Sequence, residues 1–320
     1  MKIAIVKLSA LGDIIHAMIV LQYIKKNILD AQIDWFVEAK FMGILEHNPD
    51  INTIYPIHLK NNKQNFFKEY KKLKHISKQN NYDIVLDLQG LLKSAIVARI
   101  LGNNCVGFDK KSLREPLAAF LYKTSFHIPY EENVIVRNLV LTCKALNIDI
   151  PDIQTKEPFL FSSKISHIHP SILIIVGSSW SSKIYPKEHF ITLLNALHVK
   201  SFIVWGNESE KKDAQFICEH TKATMLPKIS LDELKSIVNN ANLIIGGDSG
   251  PTHIAWAMGR PSITIFGPTP SQRNTLKTNI NKTVDCHKII DAKKLDKNDF
   301  CIQTIDPTKI IEIAKELLAC

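Results

Sequence analysis

Short runs of apolar, mostly β-branched residues recur along the chain and alternate with longer stretches where apolar positions repeat every three to four residues. The short runs predict strands at Lys2–Val6, Ile33–Val37, Ile84–Leu88, Ile172–Val176, Phe202–Trp205, Leu243–Ile245 and Ser262–Phe266. The periodic stretches predict helices at Ile14–Ile28, Leu91–Leu101, Val134–Leu146, Lys187–His198, Leu231–Asn240, Pro251–Met258 and Pro307–Leu318. The last of these opens on a proline, which suits a first helical turn. Strand and helix in alternation build a parallel sheet covered on both faces. The strand runs lack polar alternation, as burial on both sides requires.

The rhythm fails once, over Asp149–Ser171, where Pro151, Pro158 and Pro170 interrupt it. Ile172–Val176 then restarts it. The chain therefore reads as two doubly wound α/β halves, residues 1–160 and 161–320, with a cleft between them. A length of 320 residues fits two domains of ordinary size.

Composition narrows the class. Apolar residues at 45% and charged residues at 22% are globular proportions and exclude a disordered, collagen-like or disulfide-scaffold chain. The cysteines form no C-x-x-C pair, so a zinc knuckle or a redox motif is not expected. They read as mostly buried, reduced thiols of a cytoplasmic enzyme. The longest stretch free of Asp, Glu, Lys and Arg, Ile165–Ser182, is too rich in serine and histidine to span a membrane. The amino terminus enters a strand directly, without signal-peptide architecture. Net charge is +9, and seven lysines between Lys60 and Lys78 face one acid, Glu69. Such a run is either a solvated helix face or a patch for an anionic partner.

The usual phosphate cradles are missing: no G-x-G-x-x-G follows a strand, and no G-x-x-x-x-G-K-[ST] occurs. No histidine or cysteine cluster has metal-ligand spacing. Chemistry concentrates instead in three strand-to-helix loops, the places where open α/β sheets bind ligands. The first runs from Lys7 to His16. Gly12 permits close approach, and Asp13 stands at the helix start as either a plain cap or a general base that His16 would tune. The second, Gly177–Pro186, is either a serine-rich surface loop or an anion cradle of hydroxyls, backbone N–H groups and Lys183. The third, Gly246–Ala255, sets Ser249 and Thr252 at a helix start with Pro251 in the first turn. Asp248 would repel phosphate, so it either takes sugar hydroxyls or orients the loop. The second and third loops together describe a nucleotide-diphosphate site.

K-x-S-x-x-G-D-x-x-H at the start and G-D-S-G-P-T-H-I-A near residue 250 resemble the ADP-heptose:lipopolysaccharide heptosyltransferases of glycosyltransferase family nine. The resemblance covers nearly the whole chain. The segments Tyr82–Ala95 and Arg114–Ala118 are more similar to the first-acting members than to later-acting ones. It implies a GT-B fold, two Rossmann-like domains facing a central cleft, with the acceptor domain first and the ADP-heptose domain second. It also implies inverting transfer of L-glycero-D-manno-heptose from ADP-heptose to the inner Kdo of Kdo-lipid A. No essential metal or other cofactor and no nucleic acid are expected. The implied enzyme is a cytoplasmic monomer in peripheral contact with the inner leaflet.

The resemblance also implies residue roles. Asp13 becomes the general base, and Lys183 stabilises the leaving group. Ser178, Ser179 and Lys183 bind the donor diphosphate, with Asp248, Ser249, Gly250, Thr252 and His253 around diphosphate and heptose. Glu210, or Glu208 if the match slips, takes the ribose, and the adenine packs near Met225–Ile229, with Ile229 against it. Ser9, Gly12, Lys60, Lys63, Gln89, Arg114 and Arg137 are the acceptor-side candidates. Phe66 and Phe67 either touch the acceptor's acyl chains or pack in the core, and their helical spacing favours the core. Two departures stand out: serines and Tyr185 replace the threonines and tryptophan common in the second loop, and Lys60-Asn61-Asn62-Lys63 replaces an arginine-rich loop. A later-acting heptosyltransferase or a relative with another acceptor is the nearest alternative. A nucleotide-sugar epimerase or oxidoreductase and a nucleic-acid-binding protein stand further off.

Overall fold

The chain divides into two units, Met1–Phe159 and Leu160–Cys320. The computed structural model describes residues 1–58, 63–153 and 156–319, with side chains for all of these except 63–66. In the first unit six parallel strands, β1 (Lys2–Val6), β2 (Gln32–Glu38), β3 (Thr53–Ile57), β4 (Ile84–Asp87), β5 (Cys105–Phe108) and β6 (Thr124–Phe126), lie in the order β3-β2-β1-β4-β5-β6. Ile3 sits opposite Ile33 of β2 and Ile84 of β4, so apolar positions meet across the centre of the sheet. Helices α1 (Leu11–Met18), α2 (Val20–Asn27), α3 (Lys63–Asn80) and α4 (Leu92–Leu101) lie between strands, and α5 (Val134–Leu146) follows β6.

The second unit repeats the plan. Strands β7 (Ile172–Ile175), β8 (Ser201–Val204), β9 (Thr224–Met225), β10 (Leu243–Gly247), β11 (Ser262–Phe266) and β12 (Asn281–Asp285) are again parallel, in the order β12-β11-β10-β7-β8-β9. They carry α6 (Lys187–Leu197), α7 (Glu208–Glu219), α8 (Leu231–Asn240), α9 (Gly250–Ala257), α10 (Ser271–Asn274) and α11 (Pro307–Ala319). Ile172, Ile174, Ile203, Ile245 and Ile263 form the centre of its core, with Phe190 of α6 and Ile310 of α11 packed onto it.

In each sheet the strand order reverses direction once, between β1 and β4 and between β7 and β10. The loops leaving the carboxyl ends of those four strands flank a topological switch point, where α/β sheets admit ligands. The three loops singled out by sequence leave β1, β7 and β10.

Several elements differ from expectation. The single helix foreseen over 14–28 is two, α1 and α2, parted at Ile19, whose N–H turns to the Ala17 carbonyl. β3, β6, β9 and β12 lie at sheet edges, where one flank is less covered and the sequence carries no apolar run; β3 even tolerates Pro56. β5 contains Gly107, and α7 buries only Ala214 and Ile217, so both lack a strong signal. The lysine-rich run largely becomes α3. Its inner stripe is Glu69, Leu73 and Ile76, which leaves Lys68, Lys71, Lys74 and Lys78 outside. Phe67 lies off that stripe and is 66% exposed rather than in the core, while the Phe66 side chain falls outside the described residues. Cys286 and Cys301 are paired rather than reduced, because the turn beyond β12 brings their Cα atoms to 5.9 Å. Cys105 and Cys143 are buried thiols and Cys218 is half-buried. Among the described residues no helix is long and apolar enough to cross a membrane.

Candidate active site

In the first unit the loop after β1 is held by the loop after β4. The Gln89 side-chain oxygen accepts from the Leu8 and Ser9 N–H groups at 2.7 and 3.1 Å, and its amide nitrogen donates to Ser9 Oγ at 3.3 Å. Lys7 Nζ donates to the Leu88 carbonyl at 2.9 Å. Asp87, at the end of β4, shapes the loop that carries Gln89. Its Oδ1 accepts from Gln89 N at 2.9 Å and Gly90 N at 3.1 Å, and its Oδ2 from Ser94 Oγ and Tyr122 Oη at 2.8 Å each. Burial raises the Asp87 pKa even though all four donors pull it down. Gly90 adopts φ +69°, and a Cβ there would run into Leu113, so the loop needs glycine.

Asp13 sits in the first turn of α1 with its side chain exposed, and Oδ2 accepts from Ala10 N at 3.2 Å. The cap role is thus present, and the carboxylate remains open to solvent. His16 is buried on the inner side of the same helix. Gly12 is half-buried.

The other acceptor-side residues part ways. Arg114 is exposed, beside Glu115, whose carboxylate accepts from Leu92 N at 2.7 Å. Arg137 is buried: its guanidinium donates to the carbonyls of Ile128 (2.7 Å), Pro129 and Ser112 (2.8 Å) and lies over the Phe108 ring. That corrects its assignment to acceptor anions, because fork and ring face are consumed in fixing three chain segments. Lys60 and the Lys63 side chain lie outside the described residues.

The second unit centres on Asp248, at the carboxyl end of β10. Its Oδ1 takes His253 Nε2 at 2.9 Å, and its Oδ2 takes Lys183 Nζ at 2.8 Å, Thr269 Oγ1 at 2.7 Å and Asn274 Nδ2 at 3.2 Å. Burial by itself would raise this carboxyl's pKa. The Lys183 charge and the His253 hydrogen bond outweigh it and hold the group well below the ordinary carboxylate range. A carboxylate so fully engaged orients its surroundings, and of the two sequence readings the geometry supports loop orientation over sugar hydroxyls.

Around it the second loop closes tightly. Ser181–Lys183 make a 3-10 turn, Ser182 and Lys183 are buried, and Ser178 Oγ donates to the Asp248 carbonyl at 3.4 Å. Ser179 is exposed. Lys183 Nζ also lies 5.5 Å from the Trp180 ring. A Cβ on Gly247 would come within 2.8 Å of the Lys183 carbonyl, so the backbones of the two loops touch only because that residue is glycine. Ser249 precedes α9, and its hydroxyl meets that of buried Thr252 at 3.1 Å. Gly250 opens the helix and Pro251 follows it, so the first N–H groups of α9, which lack intrahelical partners, stand beside the loop.

Glu210, in the first turn of α7, packs against Gly177, where any side chain would collide with its carboxylate. Its Oε2 accepts from Gly206 N at 2.7 Å and its Oε1 from Asn207 Nδ2 at 2.6 Å. Glu208 instead extends into solvent near Lys211, 3.8 Å away, so of the two glutamates only Glu210 borders the second loop. Met225 and Ile229 are half-buried on the segment leading into α8. Sequence reasoning did not single out Asp87, Thr269 or Asn274. Thr269 carried one weak signal, a G-P-T turn after an apolar strand. Among the described residues no group of three or more His, Cys, Asp or Glu is placed to hold a metal.

Three likenesses bear on this arrangement. Lipopolysaccharide heptosyltransferase 1 of Campylobacter coli is 46% identical over 99% of both chains. The protein of that name from Escherichia coli K12 is 28% identical over 84% of this chain and 88% of its own. The solved structure of E. coli heptosyltransferase WaaC with ADP superposes with a TM-score of 0.83 at 23% identity, covering 99% of this chain and all of the other, and shows the shared two-sheet GT-B fold. Residues 70–301 match the family described as glycosyltransferase family 9 (heptosyltransferase), a span that takes in the loops after β4, β7 and β10. Loops at both switch points, two parallel sheets of one order and full-length identity agree, and the chain belongs to glycosyltransferase family 9.

Proposed function

We propose that the protein transfers L-glycero-D-manno-heptose from ADP-heptose to the inner Kdo of Kdo-lipid A, with inversion at the anomeric carbon, in assembly of the lipopolysaccharide inner core. The observation that carries this reading is the 46% identity over 99% of both chains to a heptosyltransferase 1. The site geometry supports it. In the second unit Lys183, Ser178, Ser179 and the start of α9 hold the donor diphosphate, with Glu210 toward the ribose and Ile229 toward the adenine. In the first unit Asp13 takes the proton of the acceptor hydroxyl as its oxygen bonds to the heptose anomeric carbon. The bond from that carbon to the diphosphate oxygen breaks with its electron pair, and ADP leaves. N–H donors of the Lys183 ammonium and the helix dipole of α9 stabilise the departing diphosphate. Exposed Arg114 and the lysines of α3 meet the anionic acceptor. The enzyme works as a cytoplasmic protein in peripheral contact with the inner leaflet.

The test is a purified-enzyme assay with ADP-heptose and de-acylated Kdo-lipid A, scored for ADP release and product mass. The expected product gains one heptose on Kdo. Release of ADP only with an acceptor that already carries heptose would reassign the protein as a later-acting heptosyltransferase, and inertness toward ADP-heptose would reject the proposal.

A further inference from the structure

A donor diphosphate arriving at Lys183 meets a cation that is already paired, since Nζ lies 2.8 Å from Asp248 Oδ2. The buried pair presents little net charge to an anion carrying about two negative charges. A second cation stands on the same aromatic ring. Lys297 Nζ lies 4.9 Å from the centroid of Trp180, and the Lys183 ammonium lies 5.5 Å from it. Trp180 sits directly after Ser179 in the loop that faces the diphosphate.

Lys297 is exposed, yet the loop that bears it is fixed at several points. Cys286 and Cys301 close its base. Lys288 Nζ reaches both oxygens of Asp299 at 2.9 Å, and Asp299 Oδ1 accepts from Cys301 N at 3.0 Å. The 3-10 turn Cys301–Thr304 that follows packs on the turn Ser181–Lys183, and the two meet at Gly267, where a Cβ would touch both Ile302 and the Ser182 carbonyl. The loop is thereby locked in register with the cradle.

We propose that Lys297 is a second cationic ligand for the diphosphate of the nucleotide-sugar donor, supplying the charge that Asp248 takes from Lys183. The proposal rests on the donor-site reading of the second unit. In it, Trp180 keeps the two ammonium groups on one ring, and Lys297 swings from the ring to a diphosphate oxygen when the nucleotide binds.

The test is calorimetric titration of the full-length protein with ADP across a range of salt concentrations. Lys297→Gln is expected to weaken ADP binding about three- to tenfold and flatten its salt dependence, with Lys297→Arg close to the unaltered protein. In the transfer assay the donor KM rises in step, kcat changes less, and the melting temperature of Lys297→Gln is unmoved. Unchanged affinity and salt slope in Lys297→Gln would overturn the inference while leaving the donor site standing. So would an equal loss in Lys297→Arg, since that marks a structural effect. Failure of the unaltered protein to bind ADP would overturn both.

Discussion

Asp13 and Asp248 are the same residue type given opposite work by their surroundings. Asp13 is exposed and holds one backbone N–H, so a carboxylate oxygen remains to receive a proton. Replacing it by asparagine keeps a cap-competent side chain and removes the proposed base. Asp13→Asn is expected to lower turnover by ~10²–10⁴ with ADP affinity intact, measured by steady-state assay and titration; unchanged turnover would reduce Asp13 to a helix cap. Asp248 is buried and engaged by four side chains. Asparagine there leaves the Lys183 ammonium buried without its counter-charge, an effect of about 3–5 kcal/mol. Because the folded state holds the Asp248 pKa well below its unfolded value, its stabilisation is complete above the ordinary carboxylate range, starts to decline as pH falls through that range, and is fully lost only at the much lower pH where the folded carboxylate itself protonates. Melting temperatures from pH 7 down to 3 should therefore fall further for the unaltered protein than for Asp248→Asn, narrowing the gap between them.

At the scale of elements, the site is made by loops that two strands of one sheet bring side by side. Gly247 shows how close they come. Gly247→Ala is expected to push the Lys183 carbonyl away and weaken ADP binding at least tenfold, with a far smaller loss of melting temperature, since the strands beneath are unchanged. The inner strands other than β5, and the three loops, were legible in the sequence, because double-sided burial writes an unbroken apolar run and Gly, Ser and Pro mark where it stops. Edge strands such as β6 and β12 wrote no such signal. The partners of the site were hidden for another reason. Tyr122 reaches Asp87 from 35 residues away, and Thr269 and Asn274 reach Asp248 from 21 and 26, distances at which only the folded sheet shows who meets whom. Arg137 was misread on the same ground: its charge is visible in the sequence, while the three carbonyls that occupy it are not.

For the whole molecule, the charge of +9 has a definite location in part. The exposed lysines of α3 share the first unit with exposed Lys110, Lys111, Arg114 and Lys123, which flank exposed Leu117 and Phe120 along the chain. Cations around apolar side chains suit a surface of anionic amphiphiles. Co-sedimentation with anionic vesicles is expected at low salt and should be lost by about 0.5 M, where the Debye length shrinks to a few ångströms; reversing Lys71, Lys74 and Lys78 to glutamate should abolish it. Vesicle binding insensitive to salt would assign the contact to the apolar residues alone. The repeated strand order carries a further consequence. Since each six-stranded sheet completes its own core and provides both loops of its own switch point, evolution can rewrite one half without retuning the other. Under the proposed assignment of the acceptor to the first unit and the nucleotide to the second, a lineage that changes which saccharide it decorates need alter only the amino-terminal sheet, and the nucleotide pocket passes unaltered from one specificity to the next.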